Sequence, residues 1–287
     1  MEFRLLVKGL KQIVQIVDNT DQQYLVGAQM RDLKILNDES NNLCILVDKN
    51  GKFCHIGNYS EEIVKNKKIE KIIETNGGII IPGFVDGHSH PVFAGDRVHE
   101  FAMKLAGATY MEVQKAGGGI MFTTNKTREA NENQLRNDFE EIARKMLKSG
   151  TTTLEAKSGY GLDVTTEMKM LRVLSNFSSD IPLEVSATFC GAHAVPKGST
   201  EIQQTRMICD ELIPLIEKEK KAGNLKNVEN IDVFCEKGVF EVETSREILE
   251  KGQKAGLAVN FHAEELVYIG GVEMGAKIGV SLGKGDT

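Results

Sequence analysis

The sequence predicts an α/β protein, in which helices cover a parallel β-sheet and a small β-rich domain comes first. Two observations predict this class. From about residue 79 onward, apolar strand-like runs alternate with amphipathic helices, a pattern typical of parallel sheets with helices outside. Residues 1–78 instead show short apolar or alternating runs separated by turn signals, which are typical of antiparallel strands. We therefore predict two domains, 1–78 and 79–287.

The composition is that of an ordinary globular protein. Of 287 residues, 41% are hydrophobic and 26% charged, and the formal net charge is −6. A mildly acidic chain without a basic tract is unsuited to binding nucleic acid or an anionic membrane. Its apolar runs are far shorter than the ~20 residues of a membrane-spanning helix, and we expect no signal peptide. Five cysteines without a CxxC pair favour reduced thiols in a cytoplasmic protein.

The elements follow in order along the chain. Residues 43–47 and 53–56 predict a hairpin because a turn signal separates them. In the second domain, apolar residues at helical spacing predict a helix around residues 135–147, and Gly150 stands where such a helix ends. A capping-box pattern predicts that another helix begins at Thr244. The predicted strands of this domain are 79–86, 151–156, 183–189, 231–235 and 257–262.

The sharpest chemical signal is His88-Ser89-His90, directly after the first of these strands. Residues i and i+2 of an extended chain point to the same side, so both imidazoles can reach one metal ion. Neutral imidazoles suit zinc, iron and similar metals. His262 ends the last predicted strand and is a candidate third ligand. Glu265 follows three residues later. It is a candidate acid or base or hydrogen-bond partner, and the alternative is a solvated loop carboxylate.

Two further candidates lie at strand ends. His193 follows the third predicted strand, as a metal ligand, a substrate contact or a structural histidine. Tyr160 lies between two glycines after the second predicted strand. It is either an exposed contact residue or an ordinary core residue. In barrels of eight β/α units, active sites are built at the carboxyl ends of the strands. The coincidence over four strands therefore predicts one site.

Six segments in the same order resemble the imidazolonepropionase family of the amidohydrolase superfamily. They are GFVDGHSHPVFAGDR, AGGGI, TTTLEAKSGYGL, TFCGAH, DVFCE and NFHAEE, and the resemblance spans residues 5–276. It implies a TIM-type (β/α)8 barrel joined to a small β-sandwich-like N-terminal domain. It also implies hydrolysis of 4-imidazolone-5-propanoate to N-formimidoyl-L-glutamate in histidine degradation, with one divalent zinc or iron ion that activates water.

The resemblance also implies roles for single residues. His88, His90 and His262 match the metal ligands. Arg97 matches the residue that binds the substrate carboxylate, and Tyr160, His193 and Tyr110 match further substrate contacts. Glu265 matches a carboxylate that contacts the ring and shuttles a proton. The family further implies a homodimer that acts on a small molecule.

The barrel is expected to be incomplete at its carboxyl end. Only about five of eight β/α units are predicted, against the ~250 residues and eight strands of a full barrel. The family continues with three more strands, and an Asp at the end of the eighth completes its metal site. Residues 278–287 depart from the family pattern. Besides an active imidazolonepropionase-type hydrolase, the sequence therefore leaves two alternatives: a catalytically impaired truncated form, and an amidohydrolase for another cyclic amide.

Overall fold

The structure is a computed structural model that describes residues 2–17, 22, 25–109, 112 and 118–279. The chain divides between Gly83 and Phe84 into two compact units. Across the described ranges, no helix combines the length and the apolar character that crossing a membrane requires.

The first unit is built on one sheet, in which the long strand β1 pairs with three others. Its described strands are β1 (Glu2–Gln15), β2 (Lys34–Asn37), β3 (Leu43–Asp48), β4 (Phe53–Asn58) and β5 (Lys68–Ile80). β1 pairs antiparallel with β2 and β3 and parallel with β5, and β3 pairs antiparallel with β4. The β3–β4 pair is the hairpin that the turn signal predicts. A short helix, α1 (Glu61–Val64), and a 3-10 turn at Gly27–Arg31 complete the described part of this unit.

Alternation along β1 buries apolar side chains on both faces of this sheet. The neighbouring residues Leu6 and Val7 belong to different buried clusters, Val7 to one and Leu6 to the other. Because successive side chains of a strand point to opposite faces, one strand contributes to both clusters.

The second unit contains a parallel sheet in the order β6-β7-β8-β9-β10, which confirms the predicted class. Its strands are β6 (Phe84–Ser89), β7 (Thr151–Lys157), β8 (Glu184–Ala192), β9 (Val228–Cys235), β10 (Ala258–Val259) and β11 (His262–Ala263). β11 also pairs parallel with β9. The carboxyl ends of these strands therefore lie along one edge, where the candidate side chains are found.

Helices connect the strands and bury apolar faces against the sheet. They are α2 (Val98–Leu105), α3 (Ile120–Glu129), α4 (Glu132–Lys148), α5 (Val164–Ser175), α6 (Glu201–Met207), α7 (Ile213–Lys221), α8 (Val242–Lys254) and α9 (Gly271–Lys277), with a π-helical segment at Ile208–Leu212. α4 buries Leu135, Phe139 and Ala143, which lie on one helical face at spacings of four residues. After it, Gly150 takes a φ of +99°, as expected of a helix-ending glycine.

Several predicted element boundaries are wrong, among them the start of the strand predicted at 231–235, which begins at Val228. The strand predicted at 79–86 is two elements, because β5 ends at Ile80 in the first unit and β6 begins at Phe84 in the second. The strand predicted at 257–262 is interrupted between β10 and β11. The helix predicted to begin at Thr244 begins at Val242 instead. In this last case Thr244 lies inside the helix and does not cap it, and two acceptors lie within reach of its hydroxyl: the carbonyl of Glu241 and the carboxylate of Glu201.

Candidate metal centre

Three histidines converge at the carboxyl edge of the parallel sheet. The ligand nitrogens of His88, His90 and His262 all lie within 4.8 Å of one another. His88 is the last residue but one of β6, His90 follows this strand, and His262 begins β11, the neighbour of β9. Asp86 shapes the first pair, because its carboxylate accepts from the backbone N–H of His88 and the hydroxyl of Ser89, each at 3.1 Å.

Hydrogen bonds orient two of these rings so that Nε2 faces the cluster. His90 Nδ1 lies 2.9 Å from the backbone carbonyl of Ser158, and His262 Nδ1 lies 3.1 Å from Asp232 Oδ1. A carbonyl or carboxylate oxygen can only accept, so each Nδ1 carries the proton and each Nε2 offers a lone pair. A partner at the second nitrogen is the usual arrangement for a histidine that binds a metal.

The charges around the cluster also suit a cation. Burial, helped by the neighbouring His193, lowers the pKa of His90 to about 3, so this imidazole is neutral at physiological pH. The hydrogen bond to Asp232 raises the pKa of His262, against the effect of burial, and the charge of Glu265 acts in the same direction. Nε2 of His88 and Nε2 of His262 are in direct contact. Two imidazole nitrogens placed in this way can share a proton or bind the same metal ion.

Tyr160 and His193 complete an aromatic cluster around His90. The His193 ring stacks on His90 with 4.5 Å between centroids and 11° between planes. The Tyr160 ring centroid lies 5.5 Å from that of His90 and 5.4 Å from that of His193. Burial lowers the pKa of His193 and raises that of Tyr160, in the latter case against the charge of Arg97. The rings are therefore neutral, with a phenolic hydroxyl and an imidazole available for polar contacts.

The segment that carries Tyr160 is held by a buried glutamate. The Glu167 carboxylate accepts from the backbone N–H groups of Gly161 at 2.7 Å, Leu162 at 2.9 Å and Gly159 at 3.2 Å. Gly159 has a φ of +112°, and a Cβ there would lie 2.8 Å from the carbonyl oxygen of Cys190. Glycine is therefore required at this turn.

Two other predicted site residues, Arg97 and Glu265, act on this cluster through their charges, Arg97 on Tyr160 and Glu265 on His262. Arg97 precedes α2 and donates from Nε and Nη2 to Glu100 Oε2 at 2.8 and 2.5 Å. Glu265 is exposed on the segment that follows β11. Tyr110 lies outside the described residues.

A buried polar network that none of the sequence motifs predicts lies beside His262. Lys157 Nζ donates to Asp232 Oδ2 at 2.6 Å and to Glu155 Oε1 at 2.7 Å. With His88, His262 and Asn260, Lys157 and Asp232 also line a cavity of about 320 Å³. A signal for this network was present, because Glu155, Lys157 and Asp232 are charged residues in or directly after segments that are predicted to be buried strands. Such residues are almost never fully buried unless they are paired.

The sequence was compared with known proteins. No family model matches. Proteins named probable imidazolonepropionase are 47% identical over 279 residues in Nematostella vectensis and 43% identical over 277 residues in Homo sapiens. Each match covers 96% of this chain and 64% of the relative. The chain is a homologue of the imidazolonepropionases. The resemblance that its motifs predict is thereby confirmed, and the chain spans about 64% of the length of these imidazolonepropionase relatives.

Solved structures show the same fold at low sequence identity. A 5-methylcytosine deaminase from Klebsiella pneumoniae matches with a TM-score of 0.57 at 12% identity, over 96% of this chain and 56% of that one. A guanine deaminase from C. acetobutylicum matches with a TM-score of 0.50 at 17% identity, over 91% of this chain and 53% of that one. At these identities the matches show only that this chain shares its fold with the two deaminases over the aligned residues.

Proposed function

We propose that this chain carries the active centre of a metal-dependent hydrolase that opens the ring of 4-imidazolone-5-propanoate to N-formimidoyl-L-glutamate. One observation carries the proposal: three imidazoles converge at the strand ends of a homologue of the imidazolonepropionases. In the reaction, water adds to the ring carbonyl carbon, the ring C–N bond breaks, and that carbon becomes a carboxylate. The product therefore differs from the substrate by one water molecule.

His88, His90 and His262 would hold one zinc or iron ion. Three protein ligands with an open position for water are a known catalytic arrangement. When bound, such an ion supplies Lewis-acid activation of water near neutral pH. The two Nδ1 hydrogen bonds, from His90 to Ser158 and from His262 to Asp232, support this assignment because they hold the ligating nitrogens toward one point.

The surrounding side chains would bind the substrate and move the proton. His193 donates through Nδ1 to the carbonyl of Gly159, 2.9 Å away, so its Nε2 is an acceptor suited to a ring N–H. Tyr160 would donate from its hydroxyl, and we retain Tyr110 as a further contact. Glu265 would carry the proton between water and the departing ring nitrogen, as a general base and then a general acid.

The finer features of the fold belong to the same proposal. The parallel sheet would represent about five of the eight β/α units of an amidohydrolase barrel, within residues 79–287. Residues 1–78 would form the small β-sandwich-like domain. From the family resemblance we also propose a cytoplasmic homodimer that acts on a small molecule.

A turnover assay tests the function. The protein, loaded with zinc or with iron(II), is incubated with 4-imidazolone-5-propanoate and with a cyclic amide that lacks the propanoate chain. Mass spectrometry is expected to show N-formimidoyl-L-glutamate from the first compound only. Turnover of the second compound alone would replace the proposed substrate with another cyclic amide. A metal-loaded protein that converts neither would overturn the proposed activity.

Arg97 gives a sharper test of the substrate. Its guanidinium matches a carboxylate in a two-point contact, and removal of such a charged hydrogen-bond partner costs about 1.5–3 kcal/mol. We therefore expect Arg97→Met to raise KM for 4-imidazolone-5-propanoate by roughly 10- to 100-fold and to leave kcat little changed. Steady-state kinetics measures both constants.

The matched control for this variant is Glu100→Gln. It removes the charge that pairs with Arg97 and keeps the arginine, so it separates the loss of the ion pair from the loss of the substrate contact. An Arg97→Met enzyme with an unchanged KM would contradict the assignment of Arg97 to the substrate carboxylate.

A further inference from the structure

The polar network beside the candidate metal centre leads to one of the candidate metal ligands. Lys157 and Asp232 are 2% and 1% exposed, and the two are 2.6 Å apart. Asp232 divides its oxygens between two partners: Oδ2 accepts from Lys157, and Oδ1 accepts from Nδ1 of His262 at 3.1 Å. A chain of hydrogen bonds therefore runs from the lysine to a candidate metal ligand.

A second branch of the network connects strands through Glu155. Glu155 Oε1 accepts from Lys157 at 2.7 Å, from Thr188 Oγ1 at 2.6 Å and from Asn260 Nδ2 at 2.7 Å. These donors lie on β7, on β8 and on the segment after β10. Glu155 thus connects the strands. The contact between Lys157 and Asp232 instead continues to the imidazole of His262.

We propose that Lys157 is a positioning residue for His262, acting through Asp232, so that removal of its ammonium weakens metal binding. A buried carboxylate with a single hydrogen-bond partner can rotate about its side-chain torsions, whereas one held at both oxygens cannot. Lys157 fixes Oδ2, and the fixed Oδ1 then holds the imidazole with Nε2 toward the metal. This inference rests on the proposed function, because it requires that His262 be a ligand.

A double-mutant cycle on zinc affinity tests the inference. The variants are Lys157→Met, Asp232→Asn and both together, and zinc affinity is measured by competition with a chromogenic chelator. Changes to the groups that support metal ligands typically cost 10- to 100-fold in affinity, and we expect about that loss for Lys157→Met. Asp232→Asn should lose a similar amount, because its amide offers one acceptor oxygen to two donors. If Lys157 acts through Asp232, the double variant should bind zinc no more than ~3-fold more weakly than the weaker single variant.

Glu155→Gln is the matched control within the same network. The Gln keeps an acceptor oxygen and leaves both contacts of Asp232 in place, so its zinc affinity should stay within ~3-fold of the wild type. The visible spectrum of the cobalt(II)-loaded proteins gives a second readout. We expect it to change in Lys157→Met at saturating cobalt, where ligand geometry is altered, and to stay the same in Glu155→Gln.

Each outcome bears on one statement. Wild-type zinc affinity in Lys157→Met would overturn the inference, as would a double variant whose loss is the product of the single losses, or an equal loss in Glu155→Gln. If circular dichroism shows that Lys157→Met does not fold, Lys157→Gln replaces it, because this side chain keeps a donor in the buried site. It lacks the ammonium, so its zinc affinity is also expected to fall. A wild-type protein that binds no zinc would contradict the proposed metal centre itself.

Discussion

Replacing His262 with alanine is expected to abolish tight zinc binding. The substitution removes one of three converging nitrogens, and loss of a ligand should exceed the 10- to 100-fold cost of losing a group that only supports one. We therefore expect zinc affinity to fall by more than ~100-fold. After dialysis against buffer without metal, the variant should retain far less than one zinc per chain by elemental analysis. His88→Ala should behave alike, because its nitrogen belongs to the same group.

His99→Ala is the control for these two variants. His99 is exposed on α2, so its removal lowers the histidine content equally without touching the cluster. It should retain the zinc content of the wild type. Stoichiometric metal in both His88→Ala and His262→Ala would contradict the assignment of the centre.

The second large effect is expected from Glu167→Ala. Glu167 is fully buried, and its carboxylate accepts from three backbone N–H groups. Each buried donor left without a partner costs about 1–3 kcal/mol, so the free energy of unfolding should fall by at least ~3 kcal/mol. Denaturant unfolding measures this change. The same turn carries Ser158, the acceptor for His90 Nδ1, so zinc affinity should also fall.

Two controls accompany this variant. Glu167→Gln keeps an acceptor oxygen for Gly161 and Leu162, which share Oε1. It should therefore keep most of the stability that Glu167→Ala loses. Glu141→Ala removes an exposed carboxylate from α4 whose partner is Lys145, and surface pairs of this kind contribute under ~1 kcal/mol. A Glu167→Ala protein as stable as Glu141→Ala would show that the turn does not depend on this carboxylate.

Much of the candidate site could be predicted because its signals are local. His88 and His90 are two residues apart at a strand end, and strand alternation alone places both rings on one side. His262, His193 and Tyr160 were identified because each follows an apolar run, and the carboxyl ends of parallel strands meet along one edge. The boundaries that failed lie where tertiary structure interrupts an apolar run, as at Ile80, where β5 ends in one unit before β6 begins in the other.

The partners of these residues could not be predicted in the same way. Lys157 and Asp232 are 75 positions apart, and Asn260 lies 105 positions from Glu155. Their contacts depend on the register in which β7, β8 and β9 pair, and a shift of one residue would send each side chain to the opposite face.

The sequence by itself thus determined the α/β class, the family resemblance and the identity of the converging histidines. These follow from periodicity and from short-range spacing, because the local geometry of helices and strands fixes the side to which each side chain points. Only the tertiary structure decided which nitrogen of His90 and His262 carries the proton, which carboxylate holds the Tyr160 turn, and how Lys157 connects to His262. Those properties depend on atoms that distant strands bring within about 3 Å, and such distances are set by packing and strand register rather than by any local pattern.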